Sequence, residues 1–423
     1  MLVKILIVAS KLGYQTRSFQ EAATRLGLEA VLATDRCGSL DDPWGDHAFP
    51  LKFHQPADSA ERLAREITGI AGIVAVGDLP AVAAAHIAAR LSLPFHPPDA
   101  VEAAGNKYLA RERFAAAGLP VPTFYRVPLA TAPADACLQA PWPCVLKPLG
   151  LSGSRGVIRA NNPDEFVAAF ERIRNLLNAP ELLRHRHPAL GFIQIEEYIP
   201  GREFALEGLM TRGKLQTLAI FDKPDPLEGP FFEETLYVTP SREPREAQAA
   251  MHEAIQSAAA ALGLTDGPIH SELRWNDSGA WVLEVAARPI GGLCARVLTF
   301  NGGTPLEQVI LRHALGQPLE ALALDGPASG VMMIPIPRNG LYEGCSGVEA
   351  ALAVAGMEGV EITAQPGQRF QQLPEGSSYL GFLFAKGPGP AEVESSLRQA
   401  HSRLQFQFAT ALPVMAKPQR SAL

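Results

Sequence analysis

Cysteine is scarce in this chain: five residues of 423, at Cys37, Cys137, Cys144, Cys294 and Cys345. They are scattered, odd in number and form no C-x-x-C pair. That argues against a disulfide framework and against structural zinc. A reducing, cytoplasmic setting fits such usage. Long apolar runs are missing too. None approaches the ~20 residues of a membrane span, so no membrane partner is expected. Positive charge is in deficit, with 37 Lys and Arg against 44 Asp and Glu and a net charge of −7. No basic arm or stripe compensates, which argues against a dedicated nucleic-acid binder. The opening MLVKILIVAS has no small-residue cleavage site and reads as a first strand rather than a signal peptide. There is no internal repeat. The order G-x-x-x-x-G-K-[ST] is absent, and the turn after the first strand has only Gly13. A P-loop and a dinucleotide fingerprint are therefore both poorly supported.

What is present is a globular composition, 47% hydrophobic and 19% charged. The length suggests about three structural units. Apolar periodicity over residues 1–98 alternates between strand and helix: strands at 2–9, 30–33 and 72–76, helices at 15–26, 57–68 and 81–91. Such alternation implies βαβ units and a parallel sheet. Residues 99–117 read as one helix, and the Ala- and Pro-rich piece 129–143 as a surface connection. Further strands are expected at 192–198, 204–210 and 215–221, and helices at 164–177 and 244–262. Residues 268–275 and 280–285 read as a hairpin about the turn Asn276-Asp277-Ser278-Gly279. From about residue 325 the pattern changes to strands at 330–337, 359–363 and 379–386 and a helix at 390–404. The expected organisation is an α/β domain over 1–98, a central domain over 99–325, an α+β cap over 326–412, and a loose tail over 413–423.

The stretch Val145 to Val157, VLKPLGLSGSRGV, organises the rest. A buried-type strand ends in Lys147, and a loop from Gly150 to Gly156 follows. Loops of this composition let backbone N–H groups approach phosphate oxygens, because glycine has no Cβ in the way. Taken alone, an ordinary hairpin turn reads equally well. Glu272 and Glu284 fall on the two arms of the later hairpin, with Arg288 just beyond. Two such carboxylates suit Mg²⁺, which prefers carboxylate oxygens and substrate phosphates. A cross-strand charge pattern on a solvated face is the alternative. His270 shares a face with Glu272 and is either its neighbour at a metal or a packed strand histidine. Cys294 reads as a small packing residue rather than a nucleophile. Arg296 fits a substrate carboxylate or a helix-start ion pair equally. Glu233 and Glu234 fit a place near substrate or an exposed loop. His185 and His187, in a basic loop without carboxylates, read as surface rather than metal ligands.

In order, these motifs resemble the ATP-grasp superfamily of carboxylate–amine ligases. NKYLARERFAAAGLPVP is similar to its first lysine helix, and VLKPLGLSGSRGV to its second lysine and phosphate loop. QIEEYIPGREFALEGL is similar to its adenine hinge, and ELRW to LEVAARPIGG to its metal hairpin. IPIPRNGLYEGCSGVEAALAVAGMEGVEI and LPEGSSYLGFLFAKG resemble the cap of the L-amino-acid ligase-like, biotin-carboxylase-like subgroup. The resemblance implies an ATP-grasp fold, α/β and α+β, with an N-terminal α/β domain and a C-terminal α+β cap. It implies ATP and Mg²⁺ as cofactors, with Mn²⁺ as the alternative ion. Lys107 and Lys147 would hold the α- and β-phosphates. Ser152, Gly153, Ser154 and Gly156 would lie in the loop that closes over the γ-phosphate. Glu196 and the backbone at Glu197, Tyr198 and Ile199 would meet adenine. Glu203 would accept from the ribose hydroxyls. Glu272 and Glu284 would hold the metal, and Arg288 would act in catalysis. Ala286 departs from the pattern, since many members have a metal-ligating asparagine there. The implied activity is amide formation through an acyl phosphate, with release of ADP and phosphate. The implied partners are small carboxylates, amino acids among them, and amines, and a homodimer by analogy. A bicarbonate-activating carboxylase and a non-catalytic nucleotide binder remain the alternatives.

Overall fold

The structure is a computed structural model, and it describes residues 2–10, 13–35, 48–183, 187–319, 321–376 and 378–409. His185, Cys37 and the tail 413–423 lie outside the described residues.

The first strand, Lys4–Ala9, is apolar without alternation and buried on both faces, as parallel strands are. It pairs in parallel with Glu29–Thr34 on one side and Ile70–Val76 on the other. A short strand, Phe49–Pro50, completes a four-stranded sheet. Chain order reverses between the first strand and Ile70–Val76, so the loops after these two strands flank a topological switch point, where α/β sheets present ligand-binding groups. Tyr14 follows one of them, and Gly77 and Asp78 follow the other. Gly72 permits close packing behind the sheet: a Cβ there would fall 2.8 Å from the Ala314 carbonyl oxygen and 2.8 Å from Ile5.

The expected helix 99–117 is two helices, Pro98–Ala104 and Lys107–Ala116. Apolar spacing continues through the break, but Asn106 is extended and its side chain accepts from the N–H groups of Tyr108 and Leu109. That cap starts a new helix with Lys107 at its first position. The connection 129–143 contains a short helix, Pro133–Cys137.

Two antiparallel sheets build the centre. The smaller has the order Phe124–Pro128, Phe192–Glu197, Cys144–Pro148, Ile158–Ala160. The helix Pro163–Leu177 packs Phe166, Phe170 and Ile173 against it. The larger has eight strands, in the order Gly279–Ala286, Gly267–Asn276, Arg202–Thr211, Lys214–Asp222, Leu236–Thr239, Ala328–Met333, Gly381–Gly387, Met357–Ile362. It runs unbroken from the hairpin into the C-terminal strands. Leu236 and Val238 share a core with Met332, Leu383, Val393 and Leu397. The sequence reading missed Leu236–Thr239, the helix Leu306–Ala314, and the strands Gly340–Ser346 and Gln405–Ala409.

Candidate active site

A cavity of about 530 Å³ lies where the two central sheets, the N-terminal sheet and the C-terminal strands meet. Of the residues given a role by the family resemblance, all but Gly156, which ends the loop, line its wall: Lys107, Lys147, Ser152 to Ser154, Glu196 to Ile199, Glu203, Glu272, Glu284 and Arg288.

Glu196 is the hub of one end. Lys147 and Glu196 lie on adjacent antiparallel strands, with Lys147 opposite Gln194 and Val145 opposite Glu196. The buried Glu196 carboxylate pairs with Lys147 and with Arg111 at 3.1 Å, and accepts from Gln194 at 2.8 Å. Burial alone would push Glu196 up, but Arg111 and Lys147 outweigh it and hold the carboxyl at about 2. Burial draws the Lys147 ammonium down to about 8 against the pull of Glu196. Arg111 also donates to the Val282 carbonyl at 2.9 Å, tying this hub to the hairpin. The N–H groups of Glu197 and Tyr198 donate internally, to the carbonyls of Thr123 at 2.9 Å and Pro143 at 2.8 Å. Donation from these two groups to a base is therefore ruled out in this conformation. An apolar slot lies beside them: Val145, Leu227 and Phe232 cluster with Val157 and Tyr198.

Lys107 reaches into the cavity from its helix start. Its Nζ donates to the Leu151 carbonyl at 2.8 Å and pairs with Glu284 at 2.9 Å. The loop beyond Leu151 has positive φ at Gly153, Ser154 and Gly156. Ser154, at φ 53°, is in a region that side chains rarely adopt.

Glu272 and Glu284 are direct partners across the hairpin ladder, with a bulge immediately after them. Opposed side chains on one face lie about 4.5–5.5 Å apart at Cβ. Glu203, Glu234 and Glu272 each bring a carboxylate oxygen within 4.8 Å of the others. Lys223 sits among them, 2.9 Å from Glu203, 2.8 Å from Glu234 and 3.4 Å from Glu272. Arg274 holds the other Glu203 oxygen at 3.1 Å. Burial and the Glu272 charge push Glu234 above the usual carboxylate range. Carboxylate oxygens suit a hard divalent cation, but the Lys223 ammonium already lies within this set, and Glu284 stands outside it, paired with Lys107. His270 does share a face with Glu272. Its Nδ1 lies 3.1 Å from Glu207 and its Nε2 3.8 Å from Glu272. Burial lowers His270, but Glu207 and Glu272 outweigh it and raise the imidazole to about 9. His270 is also the ladder partner of Ala286, so at that rung an imidazole faces the carboxylates where an asparagine was missed.

Arg288 donates through Nε to Asp78 at 2.6 Å. Asp78 begins the helix Asp78–Leu91 at the switch point of the N-terminal sheet. Ser152 and Lys107 act on the same Asp78 carboxyl. Sequence reasoning missed Asp78, Lys223 and Arg111. Asp78 showed only as an acid at a helix start, and Lys223 as the first residue of a Pro-rich loop. Cys294 is buried and its thiol is pushed up by that burial, as a packing residue should be. Arg296 pairs with Glu361 at 3.0 Å on the exposed surface, an ion pair to the strand Met357–Ile362 rather than one at a helix start. His187 caps a short turn by accepting from the Ala189 N–H.

Residues 140–297 match the ATP-grasp domain. Residues 332–409 match the L-amino acid ligase C-terminal domain 2. The chain thus belongs among the ATP-grasp enzymes and is an ATP-dependent ligase. Within that class it carries the closing domain of L-amino acid ligases. The crystal structure of L-amino acid ligase from Bacillus licheniformis superposes with a TM-score of 0.81 and 25% identity, over 96% of this chain and 99% of that one. The chain is 23% identical to the uncharacterized protein y4rH of Sinorhizobium fredii, over 80% of its own length and 68% of the relative's. It is 23% identical to the ATP-grasp enzyme fsqD of Aspergillus fumigatus, over 76% of its own length and 62% of the relative's. The chain therefore spans about two thirds of the curated relatives it matches. Among the described residues no helix is long and apolar enough to cross a membrane.

Proposed function

We propose that the protein is an ADP-forming carboxylate–amine ligase acting on amino acids or other small carboxylates. A carboxylate oxygen attacks the γ-phosphorus of ATP and ADP leaves. An amine nitrogen then attacks the acyl carbon of the acyl phosphate, the C–O bond to phosphate breaks, and the nitrogen gives up a proton to the departing phosphate or solvent as the amide forms. The observation that carries this reading is the gathering of Lys107, Lys147, the glycine loop, Glu272, Glu284 and Arg288 around one cavity. Phosphoryl transfer asks a protein mainly for positioning and charge stabilisation. No protein nucleophile is needed, and the buried Cys294 offers none.

In this reading the base lies in the slot of Val145, Tyr198 and Phe232, and Glu203 accepts from the ribose. Lys107 and Lys147 bind the α- and β-phosphates, and residues 150–156 cover the γ-phosphate. Glu272 and Glu284 would hold Mg²⁺, which supplies charge neutralisation along the phosphates. Arg288, steered by Asp78, presents its planar fork to the transferred phosphoryl oxygens. The L-amino acid ligase C-terminal domain favours amide formation over bicarbonate activation. The test is phosphate release from ATP, measured over a matrix of amino acids, other small carboxylates and amines. Release that needs both a carboxylate and an amine is expected. Release that needs bicarbonate instead would move the protein to the carboxylase class.

A further inference from the structure

The turn 371–376 belongs to the C-terminal part of the chain, yet it meets the glycine loop directly. The Gly156 N–H donates to the Pro374 carbonyl at 2.8 Å. Arg155 donates through Nε to the Glu375 carbonyl at 2.8 Å. Arg172, on the helix Pro163–Leu177 that follows the loop, holds the Glu375 carboxylate in a two-pronged pair at 2.9 and 2.9 Å. The far end of the Arg155 guanidinium pairs with Glu181 at 3.5 Å. The turn is itself fixed from behind. The Gln372 N–H donates to Asn339 at 2.7 Å, its side-chain amide donates to the Pro337 carbonyl at 3.1 Å, and the Gly376 N–H closes back on Gln372 at 2.9 Å. A Cβ on Gly376 would fall 1.8 Å from the Gln371 carbonyl oxygen, so the turn has no slack. A narrow cleft bounded by Gly153, Gln371 and Leu373 separates loop and turn.

We propose that this turn is a catch for the glycine loop, with Glu375 as its positioning residue. The C-terminal part of the chain holds the loop over the terminal phosphates of the nucleotide. The inference rests on the reading above that the loop covers those phosphates. Its physical basis is entropic. A loop with glycine at three of its seven positions loses much conformational freedom when it is ordered. A partner that orders it in the bound conformation lowers the cost of binding. A planar guanidinium–carboxylate fork fixes direction as well as distance, which suits a catch. The bonds from Gly156 and Arg155 run to backbone carbonyls, so Glu375 can be altered without removing them.

The experiment compares the parent with Glu375→Arg, Arg172→Glu and the double exchange. The readouts are KM for ATP, kcat, and tryptic cleavage after Arg155 with and without an ATP analogue whose β–γ bridge is not hydrolysed. Glu375→Arg should raise KM for ATP about tenfold, lower kcat by less than about threefold, and abolish protection of Arg155 by the analogue. The double exchange restores the pair with its charges reversed, and should bring KM and protection back to within about threefold of the parent. A structural defect would not be rescued in this way. Unchanged KM and cleavage in Glu375→Arg would overturn the catch, and so would a double exchange no better than the single. Failure of the functional reading looks different. There the parent itself gains no protection from the analogue, and the catch falls with it. If the analogue protects the parent and Glu375→Arg equally, the catch alone is wrong.

Discussion

Lys147 shows how much of the site rests on one buried charge. Its ammonium lies between Glu196 and the cavity, and burial brings it to about 8. If Lys147 binds phosphate as proposed, removing it takes away a charge-assisted contact worth about 1.5–3 kcal/mol. Lys147→Ala should weaken ATP binding by that amount in calorimetry, while the exposed control Lys52→Ala should not. Glu196 keeps Arg111 and Gln194 as partners, so the fold should survive. The pH dependence has a definite sign. The protonated lysine binds phosphate, and bound phosphate favours the protonated form. ATP affinity should be flat below about pH 7.5 and fall by up to about tenfold per unit above about pH 8. The fall should vanish in Lys147→Ala, and a flat profile in the parent would remove Lys147 from the phosphates. In the proposed reaction Arg288 acts later. Removing a transition-state donor costs on the order of 10²–10³ in rate. Arg288→Ala should lose that much turnover while ATP affinity, read by calorimetry, stays within about threefold. Both residues were legible in the sequence because each sits at a strand end beside a glycine-bearing loop. Asp78, which holds Arg288, was not. It arrives from another sheet, 210 positions away, and only the topology of the switch point brings it there.

The hairpin Gly267–Ala286 is the element on which the proposed cation depends. Its turn, Asn276 to Gly279, has a strong local signal, and that sets the register placing Glu272 opposite Glu284. Glu284→Gln keeps the shape but not the charge. Turnover should be abolished at any magnesium concentration, with the circular dichroism spectrum unchanged. Glu272→Gln should retain more activity, because the Glu272 carboxylate is already shared with Lys223 at 3.4 Å and His270 at 3.8 Å and so contributes less to the cation. An unaltered magnesium response in Glu284→Gln would remove the hairpin from metal binding. Other elements were harder to read. The break at Gly105-Asn106 is invisible to apolar periodicity, which runs straight through it. It shows only as an asparagine cap, yet it is what puts Lys107 at a helix start. Leu236–Thr239 has only four residues, too short to stand out from the Pro- and Phe-rich loop before it. Lys223 was hidden for a related reason. It looks like a loop residue, and only the neighbouring strands wrap three carboxylates around it.

Across the whole molecule, one sheet joins parts that differ in sequence character. The sequence pattern changes near residue 325, but Leu236–Thr239 pairs with Ala328–Met333 across that point. A chain ending at residue 325 would bare that strand's hydrogen-bonding edge and the apolar faces of Leu236 and Val238. Such a truncation should be insoluble or lack a cooperative thermal transition; a soluble, cooperatively folding fragment would show that the shared sheet is dispensable. Sequence patterns give each segment's type. They do not give sheet order across some ninety residues, because that order is fixed by which apolar faces meet. In the proposed reaction the loop, the carboxylates and Arg288 select the γ-phosphate as the point of attack, with the lysines holding the phosphates behind it. The most direct measurement is nucleotide chromatography of ATP incubated with an active carboxylate–amine pair. ADP and phosphate are expected in equal amounts, matched by amide. AMP and pyrophosphate would contradict the proposed reaction, because they require attack at the α-phosphorus.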